Sequence, residues 1–407
     1  MKPQDISSDH LKDITYQAVA LTAAGIVAEQ FRGCVLGLDP VADGQEIERR
    51  KRQADERAKD ITQAVFSHTG YRVLVHAAEG IGRDGVTNSF SAAEVVNPLG
   101  KSGEIHILSD VIEGTNATVS NNGGKSRVAI DRTEAGGLSA IVSGQGVIPL
   151  GNAPDMYADQ FFSYVPEAKR AEVQALVEDS LTAEDVQILQ EVLETVAIAN
   201  GCSIRDLEVV IMKRDREARR LASLQSIRGR YPGLTITQIS DGTVVHGLMA
   251  SFQPNKKIPT LDRHKILWTA GGSAEAFMNL AVAASVPGGI GALRLCSKNV
   301  NKTAAGDKAK DLSRRYAFDA NEINELRVVR NDAESILSGN RLFGIQDVKG
   351  SITANFSFIT DNGVFDQPGV QKVRPGIFRV CTLRIACGHP DFVIEDKPIQ
   401  AVQALFS

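Results

Sequence analysis

No run of eighteen or more apolar residues occurs in the sequence, so no helical membrane span is expected. An excess of basic charge is also missing: the formal net charge is −4, where a nucleic-acid-binding protein is usually basic. The opening segment MKPQDISSDHLKDITYQ lacks the apolar core that marks a secretory signal. Cysteine is sparse. The five thiols, Cys34, Cys202, Cys296, Cys381 and Cys387, form no C-x-x-C pair, which speaks for reduced thiols in a cytoplasm and against a thiolate zinc site. The seven histidines are dispersed, and there is neither an internal repeat nor a low-complexity tract. The absences point to a cytoplasmic globular protein acting on small anionic metabolites, with no membrane and no nucleic acid as partner.

What is present is ordinary in bulk and informative in order. The 407 residues, 43% hydrophobic and 23% charged, suffice for two domains or one large layered domain. Helical spacing runs through SSDHLKDITYQAVALTAAGIVAEQF, with Ser8 as a candidate cap, and through the highly charged QEIERRKRQADERAKDITQAVFSHTG. YRVLVHAA, EIHILSD, SRVAI and LSAIVSG read as strands. NAPDMYADQFFSYVP marks a change of pattern, so one domain is expected over 1–155 and a second over 156–407. In the second, helices alternate with the strands LEVVIM, TITQIS and KILWTAGG, which predicts an α/β layer with a mainly parallel sheet. Residues 297–340 are polar and charged, and the tail returns to strands.

ILSDVIEGTNATV, residues 107–119, carries the first chemistry. A strand-like run ends in Asp110, and Glu113, Gly114 and Thr115 follow. Carboxylate oxygens are hard ligands suited to Mg²⁺ or Mn²⁺, and two acids this close stay ionised together only with a cation between them. Gly114 allows close approach of the backbone to an anion, and Thr115 offers a hydroxyl. The spacing alone is equally that of solvated acids in an Asx-type turn. Two other strands behave alike: YRVLVHAAEG ends in Glu79-Gly80, and KILWTAGG is followed by Glu275 in the first turn of a helix. Open α/β sheets bind ligands at the carboxyl ends of their strands, and a helix start after Gly272 favours an anion.

SDVIEGT resembles the Asp-Pro-x-(Asp/Glu)-Gly-Thr motif of the inositol-monophosphatase-like superfamily of metal-dependent phosphatases. Within it the chain most resembles the class II fructose-1,6-bisphosphatases. NAPDMY (152–157) matches that family literally. AGGSAEA (270–276) is similar to its Gly-Gly-Ala-Pro-Glu-Gly, ISDGTV (239–244) to its Pro-Asp-Gly-Asp-Val, and MKRDRE (212–217) to its Arg/Lys-Pro-Arg-His loop. The motifs stand in family order. The resemblance implies a layered αβαβα sugar-phosphatase fold of the α/β class with mixed sheets. It implies a homo-oligomer, a dimer or tetramer, acting on a small-molecule sugar phosphate: fructose 1,6-bisphosphate or sedoheptulose 1,7-bisphosphate. It places Mg²⁺ or Mn²⁺ on Asp55, Glu79, Asp110, Glu113 and Glu275. Asp55 is preferred over Asp43 of the literal Ala-Asp-Gly for its distance from the Glu79 turn. Thr115 falls on the residue that orients the attacking water, with Asp110 and Glu79 as its catalytic companions. Substrate contacts fall on Glu113, Gly114, Thr115, Tyr157, Arg214, Arg216, Asp241, Gly242 and Gly272.

The chain also departs from the pattern. Val111 replaces the motif's Pro, and Ile81 follows Glu79-Gly80 where the family has a second acid, which Asp84 could replace. Asp215 and Glu217 replace the Pro and His of the arginine loop, and Thr243 replaces the second acid of Asp-Gly-Asp. These last changes fall on the sugar side, and a specialist for another phosphorylated sugar or cyclitol is the second reading. A non-catalytic homologue is a third reading, disfavoured because all five ligand positions are acidic. GIGRDG (80–85) matches a dinucleotide fingerprint, but the segment after it, broken by Pro98, is a poor helix. His76 reads as structural.

Overall fold

The structure is a computed structural model that describes residues 8–78, 90, 94–120, 136–144, 157–240, 242–254, 263–295, 342–348, 350–362, 365–386 and 388–407. It opens with two helices, α1 (Ser8–Ala28) and α2 (Gly44–Ser67). α2 has many charges, yet Ala54, Ala58, Ile61, Val65 and Phe66 recur at helical spacing and give it one buried face. Then come β1 (Arg72–Ala78), β2 (Val95–Val96), β3 (Glu104–Glu113), the short α3 (Thr115–Ser120) and β4 (Leu138–Gly144). β5 (Tyr157–Tyr164), α4 (Arg170–Ser180), α5 (Val186–Ala199), β6 (Leu207–Met212), α6 (Ala218–Arg230), β7 (Thr235–Ile239) and α7 (Thr243–Ala250) follow. β8 (His264–Gly272), α8 (Ser273–Ser285), β9 (Gly289–Leu295) and β10 (Leu342–Gly344) lead to the tail strands. These are β11 (Ile352–Phe358), β12 (Gln371–Arg374), β13 (Ile377–Ala386) and β14 (His389–Pro398), before a short α9 (Ile399–Gln403).

The strands form two sheets. One has the order β12-β13-β11-β4-β3-β1-β2, with β14 also on β13; the other has the order β10-β9-β5-β8-β6-β7. Side chains alternate between the faces of each strand, and that alternation defines the layers. On β3, Ile107 joins α1 and α2 in an outer core while Leu108 faces α7 and α8. On β5, Phe162 faces that same middle layer while Phe161 joins α4 and α5 in the opposite outer core. β6 divides Val210 from Val209 in the same way. The order is therefore helices, sheet, helices, sheet, helices: the αβαβα arrangement expected. α8 is apolar almost all round because it lies between two sheets, with Phe277, Met278, Leu280 and Val282 fully buried.

The second sheet is mixed, not mainly parallel. β6 pairs in parallel with β7 and β8, but β5 pairs antiparallel with both β8 and β9. The reading of 152–166 as a boundary missed β5, which lies between them. Its polar residues find partners that the local sequence does not show: the Ser163 hydroxyl donates to the Lys265 carbonyl, and Asn279 donates to Gln160. The first sheet draws strands from both sides of residue 155, since β4 pairs with β11. SRVAI and residues 297–340 lie outside the described residues.

Candidate active site

β3 solves a geometric problem. In a regular strand, residues three apart point to opposite faces. Opposite β4 the register runs Asp110↔Ala140 and then Glu113↔Leu138, three steps against two: a β-bulge. Ala140 and Leu138 both face the middle layer, so their partners Asp110 and Glu113 do too, while Val111 and Ile112 pack in the outer core. Asp110 and Glu113 are each only 2% exposed. The bulge thus turns Asp-x-x-Glu into two acids on one face. Val111, in the place of the motif's Pro, is 1% exposed and packs in that outer core.

Beyond Glu113 the chain turns through Gly114 at φ +71°, a left-handed conformation that suits glycine. The turn brings the Thr115 hydroxyl to 3.0 Å from the Ile112 carbonyl and 3.0 Å from a carboxylate oxygen of Asp55. Asp55 comes from α2, so a helix of the outer layer reaches the end of β3. Part of Asp55 stays open at the surface, but protein surrounds its carboxyl. Burial pushes its pKa well above the usual range, the Asp110 charge adds to this, and the Thr115 hydrogen bond opposes it. Gly137 supports the turn from β4's side: a Cβ there would lie 1.9 Å from the Thr118 hydroxyl and 3.2 Å from the Gly114 carbonyl.

The second sheet gathers the other predicted segments. Tyr157 stands opposite Gly272 in the β5–β8 ladder. Arg214 donates from Nη2 to the Ser240 carbonyl at 2.8 Å, next to Asp241-Gly242, and Gly242 caps α7. Arg216 donates to the Ala270 carbonyl, from Nε at 3.2 Å and Nη2 at 2.5 Å. The arginine loop is thereby tied to both the 240–242 and the 270–272 segments. Glu275 lies in the first turn of α8, its Oε1 2.9 Å from where a Cβ on Gly272 would be. α8 packs against β3, the strand of Asp110 and Glu113.

Glu79, Asp84, Asp241 and GIGRDG lie outside the described residues, and Tyr157 is described only by its backbone. His76 stacks on His106 with ring centroids 4.7 Å apart; the two rings are hydrogen-bonded, and Glu104 accepts from His106. One constellation went unseen in the sequence. Glu217 (1% exposed) and Arg220 (4% exposed) form a buried pair at 2.7 Å, and Arg220 also reaches Asp159 at 3.1 Å. Its only sequence signal was an acid where the family's loop has a histidine.

Among the described residues no group of three or more acids, histidines or cysteines is drawn together closely enough to form a finished metal cage. The donor chemistry nevertheless fits a hard cation. Asp110 and Glu113 are buried carboxylates, and desolvation and the Asp110 charge act against ionisation of Asp55 beside them. A divalent cation would relieve that repulsion, and all these ligands are oxygens.

Among curated proteins, none matches the chain significantly. The family model described as bacterial fructose-1,6-bisphosphatase, glpX-encoded, matches residues 45–363, well over half the chain. The matched span takes in the bulged Asp110–Glu113 strand, the Thr115 turn, the arginine loop and the start of α8. The chain belongs to the glpX-encoded family of bacterial fructose-1,6-bisphosphatases, metal-dependent hydrolases of phosphoric monoesters.

Proposed function

We propose that the chain hydrolyses one phosphomonoester of a sugar bisphosphate, fructose 1,6-bisphosphate or sedoheptulose 1,7-bisphosphate, using water activated at the end of β3. The observation that carries this reading is the contact of the Thr115 hydroxyl with Asp55, beside Asp110. A hydroxyl that donates its one proton to a carboxylate turns its lone pairs outward. They can accept a hydrogen bond from a water and so aim that water's oxygen at phosphorus.

Asp55, Glu79, Asp110, Glu113 and Glu275 would hold Mg²⁺ or Mn²⁺. When bound, such ions supply positive charge for the phosphoryl oxygens and lower the pKa of a water. Residues 1–155 would then contribute most of the acids, and 156–407 the substrate contacts together with Glu275. Gly114, with no side chain to obstruct it, would take the reacting phosphate through its backbone. Arg214, Arg216 and Tyr157 would take the other phosphate, and Asp241 and Gly242 the sugar hydroxyls. The family likeness supports a homo-oligomer working in the cytoplasm.

A second reading keeps the reaction and changes the sugar. It is favoured by the changed sugar side, where Thr243 stands for an acid and Glu217 for a histidine. Phosphate release from a panel of sugar phosphates, with Mg²⁺ and with Mn²⁺, tests both. Release from fructose 1,6-bisphosphate supports the first; release only from another sugar phosphate supports the second. No release from any member would overturn both.

A further inference from the structure

The ladder between β6 and β8 ends at Val210↔Leu267. Past that point side chains take over. The Met212 amide donates to the Thr269 hydroxyl at 3.0 Å, and that hydroxyl donates to Glu217 Oε1 at 2.9 Å. The same oxygen accepts the Ala270 amide at 2.5 Å. Meanwhile the neighbouring Arg216 holds the Ala270 carbonyl. Two consecutive side chains of one loop therefore grip residue 270 on both sides, one by its N–H and the other by its C=O.

We propose that Glu217 is a positioning residue of the active site: through its bond to the Ala270 amide, and braced by Arg220, it sets the direction of Arg216 and of the backbone entering Gly271-Gly272. The proposal rests on the substrate reading above, in which Arg216 binds the non-reacting phosphate.

The brace is built to hold. Arg220 Nη1 donates to Glu217 Oε2 at 2.7 Å, and its Nη2 donates to Asp159 on β5 at 3.1 Å. Asp159 stands opposite Ala270 in the β5–β8 register, so the network returns to the residue it positions. A buried charge pair is weak ground for stability, because desolvation offsets its attraction, so the contribution argued for here is the geometry it fixes. Arg216 is presented to a ligand only if the loop is held against β8, and Glu217 supplies that hold from the adjacent position. A histidine there could not accept from the Ala270 amide, the Thr269 hydroxyl and an arginine together, because it has one acceptor nitrogen at most.

The test is steady-state kinetics on the metal-loaded full chain with fructose 1,6-bisphosphate, for Glu217→Gln, Arg216→Ala and the double variant. Each single substitution is expected to raise KM about tenfold with a smaller change in kcat, and the double variant to raise KM no further than either single one. Additive effects, or an unchanged KM in Glu217→Gln beside a raised KM in Arg216→Ala, overturn the positioning role alone. An unchanged KM in Arg216→Ala, or an inactive wild type, overturns the substrate reading and this proposal with it. Removing one partner of a buried network can unfold a chain, so Glu217→Gln combined with Arg220→Leu and Asp159→Asn, which removes all three charges of the network together, is made as well. If it keeps the wild-type thermal midpoint and the raised KM, the proposal stands. If it too fails to fold, Glu217 belongs to the fold and the proposal fails.

Discussion

The hydroxyl of Thr115 and the carboxylate of Asp55 stand 3.0 Å apart although sixty positions of sequence separate them. The contact joins a helix of the outer layer to the turn that ends β3. Thr115→Val keeps the shape and removes the donor, so kcat is expected to fall by about 10²–10⁴-fold. Thr115→Ser keeps the hydroxyl and is expected to retain much of the rate. Equal rates in Val and Ser variants, measured by phosphate release, would remove Thr115 from the chemistry.

Asp110→Asn and Glu275→Gln keep volume and remove charge. Each is expected to lower kcat by about 10²–10³-fold or more without lowering the thermal midpoint of the metal-free protein. For Asp110 the reason is that its buried carboxylate acts by its charge against that of Asp55; for Glu275 it is that the substitution keeps the side chain's size at the start of α8. Added Mg²⁺ or Mn²⁺ is expected to raise the midpoint of the wild type by mass action and to raise that of these variants much less. A chelator should abolish the wild-type rate, and added metal should restore it.

Gly137→Ala tests the support of the turn. Its Cβ would meet the Thr118 hydroxyl at 1.9 Å and the Gly114 carbonyl at 3.2 Å, so the turn must shift or the strand must move. Overpacking of this kind costs about 1–3 kcal/mol. Activity is expected to fall more than stability, because Gly114 and Thr115 move together. Adding Thr118→Ala should recover part of both, which kinetics and urea unfolding can measure.

Acid sensitivity is expected from a pair in the second sheet. Burial raises the Glu208 pKa, but the Lys265 charge and hydrogen bonds from Lys265 and Thr237 outweigh it, leaving the pKa below its ordinary 4.5. The native state then binds fewer protons here than the unfolded state, so this stabilisation is full above pH 4.5 and is lost as pH falls through the native value. Urea midpoints measured from pH 7 down to about 3 should fall more steeply in wild type than in Glu208→Gln. Parallel slopes would mean that the pair contributes nothing.

Much of the framework could be read in advance. LEVVIM and LSAIVSG are β6 and β4 residue for residue, since each is an unbroken apolar-rich run between polar or glycine-containing turns. The Asp-x-x-Glu pair was visible, but the bulge that places both acids on one face was not, because it exists only against β4. β5 was hidden by Asp159, Gln160 and Ser163, which look unsuitable for burial until the distant groups that satisfy them are in place. Glu217 was hidden for the same reason, as its acceptor role depends on an amide 53 positions away.

The union of β4 with β11 has a consequence for how the protein is made. Ile352 aligns with Gly144, so the edge of the sheet that carries Asp110 waits for more than two hundred further residues before its neighbour is synthesised. A ribosome-bound intermediate would expose that hydrophobic edge throughout, a state prone to faulty association and a natural client for chaperones. Nonsense mutations after Glu275 and upstream of Phe358 should therefore yield insoluble fragments, even though every acid assigned to the metal has by then been translated.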